Sequence, residues 1–71
     1  MTTVLLNEEK INIVNQHIRN LQFALYNAEL DLIEANAVNS SAEAIADINT
    51  RKSQVTAKIA ALETEKASLT E

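Results

Sequence analysis

The 71 residues carry six Lys or Arg against ten Asp or Glu, a net charge of −4, and include no Cys, Gly or Pro. Disulfides and thiolate metal sites are thereby excluded, as are glycine turns and helix-breaking proline rings. A nucleic-acid footprint needs a basic face, which this acidic balance does not supply.

One small domain is expected, with a core that supplies roughly 3–5 kcal/mol at most. Ala, Leu, Ile and Glu dominate and Asn is unusually frequent, the composition of long helices joined by short connections. No apolar run approaches the roughly 20 residues that span a bilayer. The opening MTTVLLNEEK places no basic segment ahead of an apolar one, so a secretory signal is not expected. These readings point to a soluble protein of the cytoplasm, or of the host cytoplasm if phage-encoded.

In the first half of the chain, apolar residues recur at Ile11, Val14, Ile18, Leu21, Leu25, Ala28, Leu32 and Ala35. The spacing alternates three and four, which is a heptad a/d seam and predicts a helix over about 4–38. Glu8 and Glu9 suit the first turn of that helix, where the macrodipole favours anions.

The connection falls in AVNSSAE, residues 37–43. Ser40 followed by Glu43 fits a capping box. Asn39 is the local candidate for a left-handed residue after the helix, glycine being absent. The turn is therefore expected at about 39–40, with helix two over about 41–70.

The second helix repeats the alternation at Ile45, Ile48, Lys52, Val55, Ile59, Leu62, Lys66 and Leu69, with lysine at two a positions. So short a loop makes the helices antiparallel neighbours. In that arrangement a residues face d residues, and every facing pair should be symmetric about one point in the chain. Ile11 with Leu69, Ile18 with Leu62, Leu21 with Ile59, Leu25 with Val55, and Leu32 with Ile48 are all symmetric about position 40. So are the weaker pairs Val14 with Lys66, Ala28 with Lys52, and Ala35 with Ile45. The same register sets Asp31 near Arg51 and His17 near Glu65, exposed pairings of about 0–1 kcal/mol each. Beside Ala28 a lysine stem has room to lie along the seam and carry its ammonium to water. The expected fold is all-α: one antiparallel helical hairpin, a two-helix coiled coil, assembling into a four-helix bundle.

A second apolar row marks helix one. Phe23, Tyr26, Leu30, Ile33 and Ala37 fall about 150° around the helix from the seam, at 100° per residue. Both aromatic residues of the chain lie in it, and a contiguous patch of this kind marks an interface. Leu5, Leu6 and Ile13 add apolar surface near the start of the chain, and scattered singly such residues need no explanation. Helix two answers with an outer face of small, uncharged residues, including Ala57, Ala60 and Ala61, which allow another helix to approach closely. The candidate interaction surface is therefore Phe23, Tyr26, Leu30, Ile33, Ala57, Ala60 and Ala61.

No pattern in the chain carries reaction chemistry. His17 stands alone at a flanking position, and no Glu-x-x-His motif occurs that would build a di-iron bundle site. Ser40 and Ser41 are explained by capping. Glu63 and Glu65, two apart, point to different faces. Arg51-Lys52 is the one basic doublet, and the polar faces lack the Lys and Arg of membrane-surface helices. The eight asparagines, most of them within helices where their propensity is poor, fit the codon bias of an AT-rich genome better than the alternative, a hydrogen-bonding face for a partner. No catalytic, cofactor, metal or small-molecule site is expected, nor a membrane or nucleic-acid partner.

In length, two equal helices and a heptad core, the chain resembles Rop-type hairpins, which dimerise into four-helix bundles and bind RNA through a positively charged face. That resemblance implies fold and dimer, and the missing basic face leaves the activity behind. The function expected is a non-enzymatic protein–protein interaction module, a small adaptor, chaperone or host-factor modulator of the kind phages also encode. Its partners would be a second copy of itself, with a dimer the simplest closed form, or a helix of another protein. The alternative is a structural subunit of a larger assembly, such as a virion or filament component.

Overall fold

The computed structural model describes residues 4–70 and contains two α-helices, α1 (Asn7–Ala37) and α2 (Ala42–Leu69), packed against each other. The first three residues and Glu71, at the edges of the hairpin read from the sequence, lie outside the described residues. At 31 and 28 residues the helices run about 45 Å each. The molecule is a rod of 55 × 21 × 15 Å.

Every a and d residue of the two seams is buried or half-buried, and the lysines at 52 and 66 are half-buried among them. Ile18, Ala28, Ala35 and Val55 are buried, and Ala28 is the most enclosed at 1% exposure. Among the described residues no large side chain is fully enclosed. Two helices in contact can cover only one side of each seam residue, so the core is a single thin layer.

Helix one begins three residues later than its periodicity suggests. Leu6 is extended (φ −67°, ψ 151°), and its N–H donates to Glu9 Oε1 at 2.9 Å. Glu9 thus reaches back to satisfy a backbone donor ahead of the helix, half of a capping box, and Glu8 joins it in the acidic first turn.

At the other end Asn39 adopts φ 54°, the one left-handed residue among those described. Ser40 N–H donates to the Ala35 carbonyl at 2.9 Å and Asn39 N–H to the Asn36 carbonyl at 3.3 Å. This is a Schellman closure with asparagine in the place glycine usually takes.

The capping box expected from Ser40 and Glu43 does not form. Ser41 is the N-cap of α2, extended at φ −62°, ψ 155°, and its Oγ accepts from Ala44 N–H at 3.1 Å. The Schellman bond uses Ser40 to finish α1, which shifts the start of α2 by one residue. The third helical position is then Ala44, which has no side chain to return the bond. Glu43 remains in the first turn of α2, where its charge still favours the helix.

Candidate interaction surface

The register that builds the core also aims the outer faces. Asp31 and Arg51 meet across the hairpin, Arg51 Nη2 donating to Asp31 Oδ2 at 2.6 Å. His17 and Glu65 form no ion pair; Ser68 Oγ lies 3.4 Å from Glu65 Oε1, so that carboxylate faces its own helix.

With the seams turned inward, the second row of α1 faces away from α2. Phe23 is 56% exposed, Tyr26 61%, Leu30 38% and Ile33 65%. These four side chains lie on successive turns and leave on the order of 400 Å² of apolar surface uncovered, from the size of such side chains. That area falls in the range of a functional patch on a soluble monomer. Arg19, one turn before, lays its guanidinium carbon 4.8 Å from the centre of the Phe23 ring. An exposed cation–π contact of this kind contributes about 0.5–1 kcal/mol. It extends the row by a cationic end that a search for apolar residues misses, although the i, i+4 spacing of Arg19 and Phe23 carries the signal. Glu34 flanks the opposite end, beside Ile33.

On α2 the small residues divide between two shallow grooves. Ala57 and Ala60 line one of about 520 Å³ with Asn49, Lys52, Ser53 and Thr56. Ala61 lines another of about 400 Å³ between the helices, with His17, Asn20, Leu21, Lys58 and Leu62. The seven residues named from the sequence are therefore not one surface. The aromatic row and the Ala57–Ala60 face lie on different helices, each turned away from the seam, and Ala61 borders the seam itself.

Three hydroxyls of α2 are turned inward. Thr56 Oγ1 donates to the Lys52 carbonyl at 2.9 Å, Thr64 Oγ1 to the Ala60 carbonyl at 3.1 Å, and Ser68 Oγ to the Glu65 carbonyl at 2.8 Å. Such bonds to the preceding turn use up the donors. The face is smoother and less polar than its composition suggests.

Among the described residues no group of His, Cys, Asp or Glu converges in a way that could hold a metal ion. No described helix is long and apolar enough to cross a membrane.

The whole chain exposes 5422 Å². A compact monomer of 7.8 kDa would expose roughly 4,400 Å² on the usual scaling with mass. The excess, about 1,000 Å², is what the elongated shape of 55 × 21 × 15 Å adds, spread along the rod.

Searches against protein-family models, curated proteins and solved structures return no match.

Proposed function

We propose that this chain is a non-enzymatic interaction module of the cytoplasm that works by presenting the outer row of α1 to a partner helix. One observation carries the reading: Phe23, Tyr26, Leu30 and Ile33 form a continuous exposed row on a chain too thin to cover it. Phe and Tyr beside an Arg is also the composition of interface hot spots. Adaptor, small chaperone or host-factor modulator are the roles such a surface serves. Joining two hairpins brings four helices together. Because the row lies about 150° from the seam, the four-helix assembly is a flattened row with α1 inside, rather than a square bundle whose neighbours meet near 90°.

The test is solution mass with helicity measured on the same samples. Tyr26→Asp and Leu30→Asp should each abolish assembly and leave most of the helical signal, because both side chains lie off the hairpin core. An unchanged mass for both variants contradicts self-assembly through this row.

A second reading has its own support in the α2 face, where the Thr56, Thr64 and Ser68 hydroxyls are satisfied within the helix. The bulky row of one α1 packing on the small-residue face of the next α2 is a head-to-tail contact, and such contacts propagate as open rows. That arrangement suits a structural subunit of a filament or virion. Mass that keeps growing with concentration favours it, and a discrete plateau favours the module.

A further inference from the structure

We propose that the seam of the hairpin also accepts α2 of another copy: two chains open at Asn39 and exchange their second helices, forming an antiparallel rod with a two-fold axis level with Ser40. The facing pairs of the seam, from Ile11 with Leu69 to Ala35 with Ile45, are symmetric about position 40. Two opened chains turned about that position remake every one of them between copies. The Asp31–Arg51 pair is remade as well. Exchange of this kind is a low-cost route to a dimer. Only the turn changes, and the turn favours it.

Asn39 is held at φ 54°, a left-handed backbone that costs any residue but glycine. Short hinges under strain are the ones that exchange. None of residues 38–41 is Gly or Pro, so the hinge is free to straighten. Val38, at the bend, is 74% exposed in the hairpin. In the exchanged pair both Val38 residues lie two positions from the axis, where the chains cross and the two side chains meet. Against exchange stands the nearness of a chain's own α2, equivalent to a concentration on the order of millimolar. The hairpin therefore prevails at micromolar protein, and the exchanged pair gains as the protein approaches millimolar. A single-layer core, with no large side chain fully enclosed among the described residues, lets the helices part often enough for that balance to be reached. The α1 row stays uncovered in both forms, so an exchanged rod presents two rows at once.

The chain has no cysteine, so Asp31→Cys with Arg51→Cys supplies the only two thiols, at side chains in contact across the seam. A short bismaleimide joins them within one chain in the hairpin and between chains in the exchanged pair. A denaturing gel separates the two products. Every chain also carries Leu30→Asp, so that docking through the row is absent, and circular dichroism confirms helicity. After refolding, covalent pairs should be scarce at micromolar protein and abundant at millimolar. Asn39→Ala should raise the exchange constant about thirtyfold, since each pair relieves two turns and each turn contributes about fivefold. Asn39→Gly should lower it, because the hairpin then holds no strain to release. A one-chain product at every concentration, in all three hinge sequences, overturns the proposal. Covalent pairs whose yield neither Asn39 variant moves overturn it too, since the link then comes from chance contact between closed hairpins. With Leu30→Asp present throughout, failure here leaves the role of the row intact, and a row that fails its own mass test leaves exchange intact.

Discussion

Asp31 and Arg51 join the two helices twenty residues apart in sequence, with a single N–O contact of 2.6 Å at the edge of the seam. Their side chains are about half exposed, Arg51 at 52% and Asp31 at 47%, so water screens the pair. A double-mutant cycle with Asp31→Asn and Arg51→Gln should return a coupling of about 0.2–1 kcal/mol. That coupling should shrink as salt rises from low to physiological strength. A coupling independent of salt would mean that the pair is held in a drier setting than the hairpin alone provides.

The two adjacent serines have separate roles. Ser41→Ala removes the side-chain acceptor for Ala44 N–H and should cost about 1 kcal/mol. Ser40→Ala keeps the backbone N–H that bonds the Ala35 carbonyl and should change stability by less than about 0.5 kcal/mol. Urea unfolding of the two variants at one protein concentration checks the contrast. Equal losses would mean that the cap is shared.

Asn39 carries a left-handed backbone without glycine's freedom. Asn39→Ala should destabilise the hairpin by about 1 kcal/mol, since alanine meets the full Cβ penalty at positive φ. Asn39→Gly should be neutral or slightly stabilising, the relief of strain being offset by about 0.4–1 kcal/mol of extra unfolded-chain entropy. Thermal melts of both variants decide it.

Lys66 occupies an a position of the seam, half-buried in the layer it shares with Val14. Lys66→Ile should stabilise by about 1 kcal/mol through added apolar burial. This is less than full burial would give, because the site is near the chain end and the lysine favours the last helical turn. In a chain this small the gain appears as a rise of about 4–8 °C in Tm.

The architecture was written in the spacing. A three-four alternation on both halves, symmetric about one position, has few solutions besides an antiparallel hairpin, and every seam residue is indeed buried or half-buried. The turn was legible to within a residue. Ser40 and Ser41 stand side by side, and the choice of cap depended on which serine the α1 closure claimed, a backbone bond that side-chain patterns do not record. The fate of His17 and Glu65 was hidden in the same way, since it turned on Glu65 facing Ser68. The aromatic row was visible as a second periodicity, but its cationic end at Arg19 belonged to a residue type that apolar counting ignores. The α2 face read as small and uncharged, and composition could not show that its threonine hydroxyls at 56 and 64 turn back onto their own helix.

Tyr26 is the one tyrosine of a chain without tryptophan, so its intrinsic fluorescence reports on the centre of the α1 row and on little else. Acrylamide quenching of that emission, followed from micromolar to millimolar protein, is the most direct test that a second copy covers the row. Quenching should fall by several-fold as the dimer forms, and Leu30→Asp should hold it at the dilute value throughout. Quenching that stays constant across the whole concentration range, in a chain that is fully helical, would contradict the account.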